Sequence, residues 1–215
     1  MDWLTPSLIA TMAATALLSL VYLYLYVHYR ERYLAVWAFS WAIYFIRYIF
    51  MLFVISGHGH FLFFMANQTA SLLSGIILLW GTYIFVEKSL PKVWVYSCAV
   101  GILWIFISIP LHFPFLFISI PTFTFLSIVY VWTGITFIRS NTTREPSRAI
   151  TGGAFIAWGI HKANYPFLRP IPWFAPWGYL INALLEFIVA LGMLLVYFNK
   201  VRTNLKQEQL FLQKA

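Results

Sequence analysis

Charged residues are scarce in this sequence, and acidic ones are the scarcest. Only 9% of the 215 residues are Asp, Glu, Lys or Arg, and six of them are acids. A soluble globular domain has roughly 25% charged residues, so this composition excludes an ordinary water-soluble domain. The remainder is largely apolar, since 62% of the residues are hydrophobic and the mean hydropathy is +0.81. Burying that much apolar surface requires lipid as the solvent, and the sequence therefore predicts an integral membrane protein.

Cysteine is nearly absent, and the motifs of common enzyme sites are missing. The single Cys98 excludes a disulfide within the chain and indicates nothing about redox compartment. The sequence contains no glycine-rich phosphate loop, no nucleophile elbow and no paired acids. We therefore expect no enzymatic activity in these residues and no required cofactor, with any catalysis residing in an output domain outside them.

Long apolar runs separated by short polar turns predict seven transmembrane helices. The runs are continuous rather than alternating, which excludes a β-barrel. The other structure that hydrogen-bonds all its backbone N–H and C=O groups internally in lipid is the α-helix. About 20 apolar residues are enough to cross the bilayer. The fold class is thus all-α, a polytopic membrane bundle. The predicted spans are residues 5–27, 34–55, 61–86, 93–109, 115–138, 149–167 and 178–197.

Positive charge is concentrated in alternate turns, which predicts the topology. Under the positive-inside rule these turns lie in the cytoplasm, so we expect the N-terminus outside and the C-terminus inside. The opposite side has one basic residue, Arg169. The net charge of +8 therefore reflects topology, and we expect no nucleic-acid partner. The basic residues assigned to the cytoplasmic side are Arg30, Arg32, Lys88, Lys92, Arg139, Arg144, Arg148, Lys200, Arg202, Lys206 and Lys214.

Three ionisable residues interrupt the apolar runs: Arg47 in span two, Lys162 in span six and Glu186 in span seven. Each costs roughly 2.5–3.5 kcal/mol to insert into lipid, so each is a functional hypothesis by default. At a rise of about 1.5 Å per residue, they lie roughly 13, 8 and 12 Å from the outer ends of their spans. This shared depth predicts that the three side chains meet in the outer half of the membrane.

Amide and imidazole side chains at a similar level complete a predicted polar pocket between spans two, three, six and seven. Two cations and one acid leave a surplus positive charge, which favours a small anionic or carbonyl-bearing amphipathic ligand. The alternative is that the charged groups only neutralise one another and hold the helices together. The predicted ligand-binding residues are Arg47, Asn67, Gln68, His161, Lys162, Asn164, Asn182 and Glu186.

Other functions fit these residues less well. His58 and His60, with His161, form an alternative metal site without an accompanying cysteine or acid. A haem needs axial ligands that face each other, and His161 is the one histidine clearly within a span. A chromophore Schiff base on Lys162, with Glu186 as counter-ion, departs from the rhodopsin pattern, which places the lysine on the last helix. A small transporter or channel needs polar residues along the full depth, and the inner halves of the spans have few.

Two stretches carry a resemblance to a known family. Residues 29–37 (YRERYLAVW) form a charged inner turn that leads into an aromatic span. Residues 158–170 (WGIHKANYPFLRP), continued by 173–178 (WFAPWG), cover the outer turn between spans six and seven. With the layout described above, the chain resembles the N-terminal seven-transmembrane sensor region of bacterial membrane-bound histidine kinases and diguanylate cyclases, the GGDEF proteins.

The resemblance implies a sensory input domain at residues 1–199, in the inner (cytoplasmic) membrane of a bacterium. Residues 200–215 are then the start of a cytoplasmic signalling helix, and Phe198, Val201, Leu205 and Leu212 do share one helical face. The implied partners are the lipid bilayer, a small-molecule ligand, a kinase or GGDEF module in cis beyond these residues, and a second copy in a homodimer. The resemblance implies no particular ligand.

Overall fold

Seven α-helices make up the regular structure of the described chain. The computed structural model describes residues 3–57, 61–140 and 146–213, except for the side chains of residues 208 and 211. Within these ranges there is no strand. The helices are α1 (Leu4–Tyr29), α2 (Arg32–Ile55), α3 (Phe61–Phe85), α4 (Lys92–Ser108), α5 (Phe115–Arg139), α6 (Pro146–Leu168) and α7 (Ala175–Leu212).

Five of these helices have the length and hydropathy to cross a membrane: α1, α2, α3, α5 and α7. The helix α4 is apolar but has only 17 residues, a length of about 25 Å at 1.5 Å per residue. The helix α6 has 23 residues but is less apolar, because His161, Lys162 and Asn164 lower its hydropathy. The several long apolar helices indicate a multi-pass membrane protein, and the prediction of an all-helical chain is confirmed for the described residues.

Six helices form a closed ring, and α4 lies outside it. Around the ring, α1 contacts α2, α2 contacts α3, α3 contacts α5, α5 contacts α6, α6 contacts α7, and α7 returns to α1. The helix α4 packs against α3 and α5 only, and it buries just Cys98, Ile105 and Ser108. In this order α2 lies opposite α6, so long side chains from these two helices can meet in the middle of the ring.

A proline within α5 provides the hydrogen-bond acceptor that fastens α4. Pro121 has no backbone N–H, so the carbonyl of Phe117, four residues earlier, lacks its usual partner in the helix. The indole Nε1 of Trp104 on α4 donates to that carbonyl at 3.1 Å. In lipid a free carbonyl is costly, and this side chain from a neighbouring helix satisfies it.

Close approach of α5 and α6 depends on glycine. A Cβ placed on Gly152 would lie 2.6 Å from the backbone oxygen of Gly134, and one on Gly134 would lie 2.4 Å from the backbone oxygen of Gly152. Small residues that let helix backbones touch are the usual basis of tight packing in membranes. Gly153 has no such neighbour, since a Cβ there would meet nothing within 4 Å.

Large aromatic side chains fill the middle of the ring. Trp41, Tyr44 and Tyr48 lie three and four residues apart on one face of α2 and are all buried. Trp158 of α6 stacks on Trp41 with ring centroids 5.9 Å apart, and on Tyr130 of α5 at 3.9 Å. These rings bridge the space between opposite helices, and the tyrosine hydroxyl groups bring polar atoms into it.

Candidate functional site

Asn182 of α7 is the centre of a buried hydrogen-bond network that joins three helices. Its Oδ1 accepts from Lys162 Nζ at 2.6 Å and from Trp158 Nε1 at 2.9 Å, both on α6. Lys162 Nζ also donates to the hydroxyl of Tyr44 on α2 at 2.7 Å. The Nδ2 of Asn182 donates to the hydroxyl of Tyr48 at 2.7 Å. Lys162, which the sequence predicts as a ligand-binding cation, therefore already has partners within the protein.

Glu186 completes this network one helical turn further along α7. Its Oε1 accepts hydrogen bonds from Asn182 Nδ2 and from the hydroxyl of Tyr48, the latter at 3.0 Å. The hydroxyl of Thr15 on α1 lies 3.2 Å from Oε2. The carboxyl group is fully buried, and amide and hydroxyl donors rather than a direct ion pair surround it. The network thus links α1, α2, α6 and α7 at one level.

Arg47 lies beside this network without joining its hydrogen bonds. The guanidinium carbon is 4.6 Å from the ring centroids of both Tyr44 and Tyr48, which places the cation over two electron-rich faces. Its Nε and Nη1 atoms are buried and have no hydrogen-bond partner. The one ion pair within the described chain joins Lys200 and Glu87, so no carboxylate pairs directly with Arg47.

A cavity of about 300 Å³ adjoins Arg47 at the end of the bundle where α2 ends and α3 begins. Its charged and amide-bearing lining residues are Arg47, Asn67 and Gln68, together with Arg169 from the turn before α7. Oδ1 of Asn67 and Oε1 of Gln68 are buried acceptors without a partner, and Nε of Arg169 is a buried donor without one. Unpaired buried polar groups are rare and call for an explanation. An occupant of the cavity that bonds to them provides one.

The structure brings most of the predicted site residues together, but in two groups that meet at Arg47. Lys162, Asn182 and Glu186 belong to the buried network, whereas Asn67 and Gln68 line the cavity. Arg47 contacts the tyrosines of the network and also lines the cavity. These residues, for which the sequence predicts a common depth, therefore also lie close together in the structure.

Two predicted residues lie apart from both groups. His161 is half-buried and lines a much smaller space beside Phe174 and Gly178, and Asn164 is exposed on the surface of α6. They flank Lys162 in the sequence, but adjacent residues on a helix point in different directions. His58 and His60, the residues of the alternative metal site, lie outside the described residues.

The sequence-based prediction omitted the tyrosines and the second arginine of the site. Tyr44, three residues before Arg47, and Tyr48, four residues after Tyr44, lie on one face of α2, so helical spacing around the buried cation was a usable signal. Arg169 was visible as the one basic residue assigned to the outer side. Its place over the cavity follows from the turn between α6 and α7, which hydropathy does not specify.

No protein-family model matches the chain, and neither a curated protein nor a solved structure does.

Proposed function

We propose that this chain is the membrane-embedded input domain of a bacterial signalling receptor in the cytoplasmic membrane. A small anionic or carbonyl-bearing amphipathic ligand binds in the cavity beside Arg47, and α7 transmits the event to a cytoplasmic kinase or GGDEF module in cis. The observation that carries this proposal is the cavity itself, where four polar side chains have buried atoms without partners. The sequence resemblance to sensor regions of such proteins supports it.

The proposal includes seven spans with the N-terminus outside and the C-terminus in the cytoplasm. The distribution of basic residues supports this arrangement, since Arg169 alone is assigned to the outer side. The 23 residues of α6 amount to about 34 Å, enough to cross the hydrocarbon core. Lys162, one of its polar residues, hydrogen-bonds to α2 and α7. Its charge is therefore inside the bundle and not on the lipid-facing surface.

Coupling from the cavity to α7 runs through the two tyrosines under Arg47. Tyr44 and Tyr48 contact the guanidinium group on one side and hydrogen-bond with Lys162, Asn182 or Glu186 on the other. An anion in the cavity attracts Arg47 away from the rings, which alters the hydrogen bonds of Tyr48 to α7 and that of Tyr44 to Lys162 on α6. A ligand shifts an equilibrium only through such differential contacts.

A transport function is less consistent with the interior of the bundle. Toward the end from which α7 extends, Trp37, Phe85, Phe137 and Phe155 are fully buried. Their ring centroids lie 5.5 Å (Trp37–Phe85), 5.9 Å (Phe85–Phe137) and 5.6 Å (Phe137–Phe155) apart. This aromatic layer closes the middle of the ring below the polar network. A receptor that binds at one level and moves a helix requires no path through it.

The helix α7 is the proposed output element because it links the network with the far end of the molecule. It is continuous over 38 residues, from Ala175 to Leu212, about 57 Å at 1.5 Å per residue. Asn182 and Glu186 lie near its beginning, and exposed Leu205 and Leu212 lie near its end. We propose that this last part pairs with its counterpart in a homodimer, so that a shift of α7 changes the pairing.

The experiment that tests the proposed function measures output from the protein with its natural cytoplasmic continuation, as kinase activity or cyclic-di-GMP formation in membranes. Lys162→Ala and Glu186→Gln are each expected to abolish the response or to lock it on, because the first removes a hydrogen bond to Asn182 and the second removes the negative charge toward which Asn182 and Tyr48 donate. Asn164→Ala is the matched control on the exposed face of α6. Wild-type output from both site variants at normal expression would show the network to be structural only.

A further inference from the structure

The side chains that line the cavity beside Arg47 include buried donor atoms and buried acceptor atoms without hydrogen-bond partners. Nε and Nη1 of Arg47 and Nε of Arg169 are buried donors without partners, while Oδ1 of Asn67 and Oε1 of Gln68 are buried acceptors without partners. All four residues line the same cavity. A buried polar group without a partner costs free energy. The occupant that suits this cavity therefore both accepts and donates hydrogen bonds.

The charge of the lining selects an anion over a neutral carbonyl compound. Two guanidinium groups line the cavity, and none of the described lining residues is acidic. Glu186 is occupied elsewhere, since Tyr48 and Asn182 bond to its carboxyl group. A neutral carbonyl would bond to the arginines but leave their charge uncompensated. A carboxylate accepts two parallel hydrogen bonds from the planar fork of a guanidinium group.

The remaining wall sets the size and polarity of the rest of the ligand. Met51, Phe64, Phe115 and Phe123 contribute apolar surface on the other sides of the cavity. The volume of about 300 Å³ lies at the lower end of the range for ligand pockets. It suits one compact apolar group or one short chain.

We propose that this cavity binds a small amphipathic carboxylate that also carries a hydroxyl group. The carboxylate lies against Arg47 and Arg169, the hydroxyl donates to Asn67 or Gln68, and the apolar body packs among the phenylalanine rings. The proposal rests on the proposed function and narrows its ligand class. Two sources share this chemistry: a water-soluble hydroxyaryl acid, and a medium-chain hydroxyacyl acid that partitions into the membrane.

The test is a binding titration of the purified chain in detergent, measured by calorimetry. The probes are para-hydroxybenzoate and beta-hydroxydecanoate, each compared with the acid that lacks its hydroxyl group and with its own methyl ester. We expect a hydroxy acid to bind at least about tenfold more tightly than its ester, which has lost the charge, and severalfold more tightly than the acid without the hydroxyl. The series that binds identifies the source. Equal binding of acid and ester, or no binding of either hydroxy acid, overturns the proposal.

Variants distinguish binding in the cavity from partitioning of the acids into the detergent micelle. They also test the ligand class and the receptor function independently. Arg47→Met and Arg169→Met are each expected to weaken hydroxy-acid binding at least about tenfold, and Asn164→Ala to leave it unchanged. Unaltered binding by both arginine variants contradicts the proposed site. If the acids bind as expected while Glu186→Gln leaves the output unchanged, the ligand class stands and the receptor function fails. If the output depends on Glu186 while no probe binds, the reverse holds.

Discussion

At the scale of the residue, the two buried cations of the bundle differ in what surrounds them. Lys162 donates to Tyr44 and to Asn182 at normal hydrogen-bond distances, whereas two nitrogens of Arg47 have no partner. A buried charge is tolerated when hydrogen bonds compensate it and is costly when they do not. The same formal charge is therefore expected to stabilise the bundle at Lys162 and to destabilise it at Arg47.

Replacing each cation by methionine tests this difference. Lys162→Met removes one of the two donors to Asn182 Oδ1 and the donor to the hydroxyl of Tyr44, so we expect a loss of about 1–3 kcal/mol of stability. Arg47→Met removes a cation with unpaired donors, so we expect no loss and a gain of up to about 2 kcal/mol. The measurement is thermal unfolding of the ligand-free protein in detergent, monitored by tryptophan fluorescence. Destabilisation by both variants to a similar extent contradicts the account.

At the scale of the element, the contact between α5 and α6 determines where Lys162 and Trp158 lie. The two helices meet at Gly134 and Gly152, where each backbone leaves no room for a Cβ on the other. The next residue, Gly153, is exposed, and nothing lies within 4 Å of its Cβ position. Neighbouring glycines of one helix thus have different roles, and this gives a matched pair for mutagenesis.

Alanine at these two positions is expected to change stability in opposite directions. Gly152→Ala forces α6 away from the backbone of Gly134, at a cost of about 1–3 kcal/mol for an overpacked contact. Gly153→Ala meets no neighbour and gains helix propensity, up to about 1 kcal/mol. Both effects appear as shifts in the thermal unfolding temperature. Equal behaviour of the two variants would mean that the helices are not in contact at this point.

At the scale of the whole molecule, Lys200 fixes α7 where that helix leaves the ring. Its Nζ donates to Glu87 Oε1 at 3.0 Å and to the backbone oxygen of Phe85 at 3.2 Å. It also lies 5.1 Å from the ring centroid of Phe85 and 5.6 Å from that of Tyr33. The side chain of Glu87 is 76% exposed, so most of the restraint comes from the carbonyl and the rings.

Removal of the lysine and removal of the acid are therefore expected to differ. Lys200→Met loses the carbonyl and ring contacts, about 1 kcal/mol or more, and hydrogen exchange over residues 196–205 should accelerate. Glu87→Gln loses an exposed ion pair, worth about 0–1 kcal/mol, and exchange should stay close to that of the wild type. Faster exchange in Glu87→Gln alone would assign the restraint to the ion pair.

Seven spans place the turn before α7 and the turn between α3 and α4 on opposite sides of the membrane. In a Cys98→Ser background, Trp173→Cys lies in the turn before α7, and Ser89→Cys lies between α3 and α4; both positions are exposed. With seven spans, an impermeant maleimide labels the first from outside in right-side-out vesicles. It labels the second in inverted vesicles only. Labelling of both from the same side would mean that α6 or α4 does not cross.

The sequence alone determined that the chain is helical and apolar, and where most helices begin and end. The predicted span 61–86 matches α3, Phe61–Phe85, because hydropathy, prolines and charged turns act locally. The tertiary structure decided which side chains meet. It placed α4 outside the ring, Tyr44 and Tyr48 under Arg47, and Arg169 over the cavity. The order of helices around a ring depends on how their faces pack against one another. A hydropathy pattern indicates how deep a residue lies in the membrane, but not which neighbouring helix its side chain faces.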